Sequence, residues 1–345
     1  MAKTEIIYLT ALESLKKEII SGKYDFNPKL PSEAELATRL NISGSTVRKV
    51  LTQLRNEGLI ETRNGSGSYV SEKNLNRIIP VVICNTDPML RNNKSLQGIK
   101  DYLGEKGFIS LPTLNRASPE CEREMINDLL ENGHKNLIIF PLSSQSNTYF
   151  YQELMRNGIN LAFADILPNN IACDYASCCN FLGGYMATKK LIDLGHTDIA
   201  FCCYDKPGTI NTVRERFKGY LSAHTQNGLE VKKENIVFNL TVHEDDAIDE
   251  FVETTTVKAI FAATDALAFS LLNKFNNTER KPAIIGFDNS DIAERFSLAT
   301  INQHQYETGR AVAELLYKRM LDPDKKYEHI YLPVSVIERD SLYNH

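Results

Sequence analysis

The stretch "LPSEAELATRLNISGSTVRKVLTQLRNEGLIETRNGSGSYV", residues 30–70, decides the architecture of the N-terminal part of this chain. Ser32-Glu33-Ala34-Glu35 is a capping box, in which the Ser32 hydroxyl and the Glu35 carboxylate satisfy backbone N–H groups left open at a helix start. The helix it opens reaches Leu40, and Asn41 to Gly44 form a tight break. Val47, Val50, Leu51 and Leu54 then fall on one face of a further helix, which Gly58 stops. "LIETR" and "SYV" alternate apolar and polar residues around Asn64-Gly65-Ser66-Gly67, a hairpin signal. Upstream, Ile6, Leu9, Leu12, Leu15 and Ile19 form the apolar stripe of a first helix, with Ser21-Gly22 as its stop. Three helices and a hairpin make a winged helix-turn-helix over residues 1–70.

Such a unit can place its recognition helix in a DNA major groove, about 12 Å wide, with its N-terminal residues facing base edges and phosphates. Here those residues are Ser43, Gly44, Ser45 and Thr46, followed by Arg48 and Lys49. Small hydroxyls at a helix start cap it and bond phosphate. Arg63 and the Asn64-Gly65 tip form a wing that reaches an adjacent groove. Residues 1–72 hold ten basic and nine acidic side chains, so bulk charge does not separate DNA binding from a small helical domain with solvated Arg and Lys. Clustering favours DNA, since Arg39, Arg48, Lys49, Arg55 and Arg63 face only Glu57 and Glu61 over residues 39–63. The stretch also resembles, nearly end to end, the winged-helix domain of GntR-type bacterial transcription regulators. The resemblance implies DNA contacts from Ser32, Arg39, Ser43, Ser45, Thr46, Arg48 and the turn after Arg63. Ala34 and Gly44 stand where that family commonly has arginine, which implies an altered operator rather than none.

Residues 71–77, "SEKNLNR", are polar and read as a linker. From 78 to 345 the runs "IIPVVIC", "LIIFPL", "INLAFAD", "DIAFCC", "AIFAAT" and "AIIGFD" alternate with helical segments at 95–106, 119–132, 183–194 and 213–227. Short apolar runs separated by helices fit parallel sheets covered on both faces, and the length suits two α/β lobes with a ligand cleft between them. Asp165, Asp265 and Asp288 sit at carboxyl ends of such strands, where α/β clefts gather ligand groups and where helix N-caps also occur. "FLGGYMATKKLIDLGHTDIAF", "RERFKGYLSAH", "AIFAATDALAFSLL" and "AIIGFDNSDIAERFSLATINQHQYETGRAVAELLYKRM" resemble the effector-binding part of LacI-type regulators, a periplasmic-binding-protein-like fold. Taken together, the two resemblances look like regulators of the arabinose-repressor type. They imply an effector-binding arginine among Arg214 and Arg216, with Arg216 favoured because helix residues two apart point in different directions. They further imply a cleft-lining Gln303, a monosaccharide or derivative as effector, a homodimer, and a palindromic operator controlling carbohydrate-utilisation genes. Gly183-Gly184 is read as preceding a helix that Gly195 ends. Cys179-Asn180 replaces a common Asp-Asn, and Ser143-Ser144 stand where some sugar-binding members have acids, so the sugar stays open.

With 345 residues, 42% hydrophobic and 24% charged, the composition is that of an ordinary multidomain protein, and a net charge of −5 confines any nucleic-acid site to one face. The N-terminus "MAKTEIIYLTALESLKKEII" is charged throughout and no long apolar run occurs, so a cytoplasmic protein without a membrane span is expected. Seven cysteines with no CxxC fit a reducing compartment. No HExxH, GxSxG, GxxxxGK[ST] or zinc-spaced Cys/His cluster is present, so no catalytic residues, metal or cofactor are expected. A solute-binding protein or a sugar-modifying enzyme with a DNA-binding head is the alternative. The chain has no Trp, which leaves stacking on a sugar ring to its 15 Phe and 15 Tyr.

Overall fold

The structure, a computed structural model, describes residues 3–20, 24, 29–63, 66–71, 77–83, 94–114, 118–204, 210–240 and 245–343. The wing tip Asn64-Gly65, the helix stop Ser21-Gly22 and positions 72–76 of the expected linker lie outside them.

Helices Lys3–Ile20, Glu33–Leu40 and Gly44–Asn56 pack on the antiparallel pair β1 (Ile60–Arg63) and β2 (Gly67–Val70). The capping box forms on both sides: Glu35 N–H donates to Ser32 Oγ at 3.3 Å, and Ser32 N–H donates to Glu35 Oε2 at 2.7 Å. Val47, Val50, Leu51 and Leu54 join Leu12, Leu15, Ile19 and Leu36 in one small core. The first helix departs from the expected stripe. Leu9 is 42% exposed and Ala11 takes the buried place, because six residues turn a helix by about 600°, setting Leu9 about 120° away from Leu15. Leu30 N–H donates to Ser68 O at 2.9 Å, which ties the segment before the capping box to the wing.

The remainder forms two α/β lobes. The first lobe's sheet runs β13-β7-β6-β5-β3-β4, with β3 Ile78–Ile83, β4 Ile109–Leu114, β5 Asn136–Phe140, β6 Asn160–Ala164, β7 Asp174–Cys178 and β13 His329–Leu332. The second runs β14-β12-β11-β10-β8-β9, with β8 Ile199–Cys202, β9 Ile236–Val237, β10 Ala259–Ala262, β11 Ala283–Asp288, β12 Ala299–Asn302 and β14 Ser335–Ile337. All neighbours pair in parallel except β12 with β14. Leaving aside the last-joined β13 and β14, each sheet has its strands in the doubly wound order 2-1-3-4-5, which places a crevice at the carboxyl ends. The chain passes between the lobes after β7, after β12 and after β13.

Each lobe contains a pair of helices that touch through glycine. In the second lobe, Asn180–Asp193 crosses Asn211–Gln226, where a Cβ on Gly184 would lie 2.1 Å from Arg216 O and one on Gly219 2.2 Å from Phe181 O. In the first, Lys94–Glu105 crosses Gln305–Leu321, where a Cβ on Gly98 or Gly309 would lie 2.0 Å from a backbone oxygen of the other helix. This corrects the expected start at the glycine pair. The helix begins at Asn180 and carries Gly183-Gly184 inside it, because these glycines serve close approach rather than a turn. No helix among the described residues is long and apolar enough to cross a membrane.

Candidate functional site

Two surfaces collect the candidate functional side chains. On the winged helix, Ser43 caps the recognition helix by accepting from Thr46 N–H at 3.2 Å, and its hydroxyl also lies 2.8 Å from those of Ser45 and Thr46. Lys49 is exposed on the next turn. Arg48 Nε donates to Glu33 Oε2 at 2.9 Å, with the two side chains 71% and 50% exposed. Arg63 in the wing donates to Glu61 at 3.0 Å, and its guanidinium lies 4.6 Å from the centre of the Tyr69 ring. Tyr69 Oη in turn lies 2.6 Å from Ser66 Oγ. Arg39 is held more closely: Nη2 donates to Glu18 at 2.7 Å and Nη1 to Tyr24 Oη at 3.1 Å, joining the first two helices. Ser32 and Ala34 are exposed, and nothing lies within 4 Å of a Cβ built on Gly44.

The second surface is the cleft between the lobes, centred on Arg216. This residue is 4% exposed, donating through Nε to Asn180 Oδ1 at 2.8 Å and through Nη1 to Ala263 O at 2.6 Å. Its guanidinium lies 3.6 Å from the centre of the Phe287 ring and 3.7 Å from Asp288 Oδ1. Gln303, at the second crossing between lobes, donates to the same Asp288 oxygen at 3.0 Å and accepts from the Cys178 thiol at 3.6 Å. Asp288 ends β11 with φ +125°, a conformation L-residues seldom adopt, and strain of this kind concentrates at ligand sites. Asp165 follows β6, the fourth strand of the first lobe in chain order, as Asp288 ends the fourth of the second, and it too has positive φ, +66°.

Burial pushes the carboxyls of Asp165 and Asp288 above the ordinary range, and Arg216 pulls both back. Burial also holds Cys178 and Tyr204, pushed up to about 12, as neutral thiol and phenol. The lobes meet beside this group at Asn211. Its Oδ1 accepts from Ser144 Oγ at 3.0 Å and from Leu167 N–H at 3.2 Å, and its own N–H donates to Ser144 Oγ at 3.0 Å.

Of the expected cleft residues, the fold brings Asp165, Arg216, Asp288 and Gln303 together. Arg214 stands apart, its Nε 3.4 Å from Glu215 and its side chain 41% exposed. Asp265 lies behind the cleft, fully buried, accepting from Ser290 N–H at 2.8 Å, Ser290 Oγ at 2.9 Å and Thr300 Oγ1 at 2.5 Å; desolvation nevertheless raises it to about 6. Thr264, not Asp265, caps the following helix. Sequence reasoning did not assign Asn180, Ser144 or Asn211. Asn180 and Ser144 carried a signal through the resemblance, within Cys179-Asn180 and Ser143-Ser144, and Asn211 carried none. Among the described residues no group of His, Cys, Asp and Glu is placed to hold a metal ion.

A family model for bacterial regulatory proteins of the gntR family matches residues 7–70, and one for a periplasmic binding protein-like domain matches 188–342. An arabinose metabolism transcriptional repressor of Geobacillus stearothermophilus is 26% identical over 98% of this chain and 98% of its own length. The HTH-type transcriptional repressor PurR of Vibrio cholerae serotype O1 is 30% identical over 72% of this chain and 75% of its own. Among solved structures, the transcriptional regulator CelR in complex with cellobiose is 22% identical and superposes with a TM-score of 0.69, covering 87% of this chain and 91% of that one. With the winged helix, the two-lobed sensor and these likenesses in place, the chain belongs to the family of bacterial transcription regulators that join a gntR-type DNA-binding domain to a periplasmic-binding-protein-like, LacI-type sensor.

Proposed function

We propose that the protein is a cytoplasmic, homodimeric repressor of carbohydrate-use genes, released from a palindromic operator when an uncharged monosaccharide closes the sensor cleft. The observation that carries this reading is the unused bonding capacity brought together from both lobes. The Asp165 carboxylate and Arg216 Nη2 make no hydrogen bond among the described residues, while the rest of the guanidinium is fixed by Asn180, Ala263 and Phe287. A hydroxyl-rich ligand supplies donors for the carboxylate and acceptors for the guanidinium, whose planar fork suits two adjacent oxygens. Charge favours the sugar over its phosphate. Asp165 and Asp288 outnumber Arg216 among the described cleft residues.

Two winged helices of a dimer would read half-sites on successive turns of the duplex. Release requires the sugar to bind the DNA-free form more tightly, and a coupling of about 1–3 kcal/mol gives a 5- to 150-fold change in affinity. The test is a thermal-shift screen against pentoses, hexoses and their phosphates. A sugar whose shift grows with the logarithm of its concentration is expected, since a ligand bound only to the native state stabilises by RT ln(1 + [L]/Kd). A phosphate that outperforms its parent sugar would count against the cleft reading.

The DNA face gives a gain-of-function test. Gly44→Arg places a guanidinium in open space at the recognition-helix start, and it should raise affinity for duplex DNA and steepen the dependence of log K on log salt by about 0.9. An unchanged slope, measured by fluorescence anisotropy, would mean that this position does not meet phosphate.

A further inference from the structure

Arg48 and Arg63, two exposed arginines of the proposed DNA face, are each tied to a carboxylate of the same domain, and we infer that Glu33 and Glu61 are specificity residues that suppress binding to arbitrary DNA. The inference rests on operator binding through the recognition helix and wing. Glu33 holds Arg48 by Nε alone, at 2.9 Å. Among the described residues, Nη1 and Nη2 of Arg48 make no hydrogen bond, so the edge left outward is the one that spans guanine O6 and N7. Glu61 holds Arg63 at Nε and Nη2, both at 3.0 Å, while the ring of Tyr69 lies under the guanidinium. A carboxylate oxygen in each pair thus occupies the place that a phosphate oxygen would take.

The two complexes differ in what they ask of these pairs. Binding to arbitrary duplex is almost wholly electrostatic, so an arginine gains there only by leaving its carboxylate for a phosphate, with the carboxylate left facing the polyanion. At a matched base pair the arginine can bond the base edge with its carboxylate still in place. The pair therefore weighs against the wrong partner more than the right one, which is how repulsive elements create specificity. Exposure keeps the device reversible: the Arg48–Glu33 and Arg63–Glu61 side chains are 71/50% and 48/42% exposed, and such pairs are worth about 0.2–1 kcal/mol. Arg39, exposed as well, differs in that it bonds both Glu18 and Tyr24 and so ties two helices together.

The experiment measures the full-length protein and its Glu33→Gln, Glu61→Gln and Glu230→Gln variants on two probes over a range of salt. One probe is a mixed-sequence duplex; the other is the duplex that the wild-type protein enriches most from a random-sequence library. Glu33→Gln and Glu61→Gln are each expected to bind the mixed duplex about two- to five-fold more tightly, with a steeper salt slope, and to bind the selected duplex no more tightly than wild type. The ratio of the two affinities then falls. Glu230 is exposed in the sensor, and its variant controls for net charge. An equal gain from Glu230→Gln, or an unchanged ratio in both winged-helix variants, would overturn the inference alone. Failure of the wild-type protein to enrich any duplex would overturn the DNA-binding reading with it.

Discussion

Arg216→Met is expected to lower the free energy of unfolding at neutral pH by about 3–5 kcal/mol, the usual cost of removing one partner from a buried ion pair, and to abolish effector-induced stabilisation. The substitution leaves Asn180 Oδ1 and Ala263 O without their donor and leaves Asp288 without its cation. Burial already holds the Asp288 carboxyl well above its ordinary range, with Asp265 and Asp165 pushing the same way. An acid whose folded-state pKa exceeds its unfolded one binds its proton more tightly when folded, so stability falls as pH rises from the unfolded value towards the folded one. Loss of the guanidinium widens that window upward, and the deficit of the variant should shrink on acidification from pH 7 to pH 5. Adding Asp288→Asn should recover part of the loss, because removing both partners costs less than orphaning one. Denaturant unfolding at the two pH values reads all of this, and a single variant as stable as wild type at pH 7 would sink the assignment.

Gly184→Ala and Gly219→Ala are expected to destabilise at or above the 1–3 kcal/mol typical of overpacking, because the clash is with backbone rather than with a side-chain end. For Gly184 the obstructing atoms are the backbone of Arg216 itself, so forcing the helices apart displaces the guanidinium from Asn180 and Ala263. Effector affinity should fall with stability. Gly98→Ala makes the same clash in the first lobe against Tyr306 O. It should cost comparable stability while leaving the bonds of Arg216 formed. Melting temperatures with effector titrations separate these outcomes, and an unaffected Gly184→Ala protein would mean that the crossing is looser than its geometry.

Elements with strong local signals were legible in the sequence. The capping box at Ser32, the stripe of Val47, Val50, Leu51 and Leu54, and the apolar runs that became β3, β5, β6, β8, β10 and β11 all read correctly because each carries its signal within a few consecutive residues. β4, β7, β9, β12, β13 and β14 did not. "ISLPTL" carries a proline tolerated at a sheet edge, "IV" is two residues long, and β13 and β14 are defined by the strands they join rather than by their own sequence. The site divides in the same way. Asp165 and Asp288 follow recognisable strands, and helical geometry alone separates Arg216 from Arg214. Asn211 meets Ser144 from 67 positions away and Asn180 meets Arg216 from 36, pairings that only the folded chain supplies. Glycines 98, 184, 219 and 309 mark contacts between helices, and a lone sequence does not distinguish such glycines from those of turns.

Because β13 joins β7 and helix Gln305–Leu321 covers the first sheet, while β14 completes the second, neither lobe is a contiguous piece of chain. On the ribosome the winged helix is complete once its hairpin has emerged, but the first lobe must wait for residue 332 and the second for residue 342, whose side chain lies in its core. Throughout that interval the edge of β7 is unpaired and the face formed by Ile79, Val81, Ile138 and Ala162 lacks the helix that later buries it. Nascent chains in this state present the open edges and apolar surface that drive aggregation and recruit chaperones. A messenger truncated before codon 329 would therefore yield a DNA-binding head attached to a sensor that lacks the last strand of both sheets.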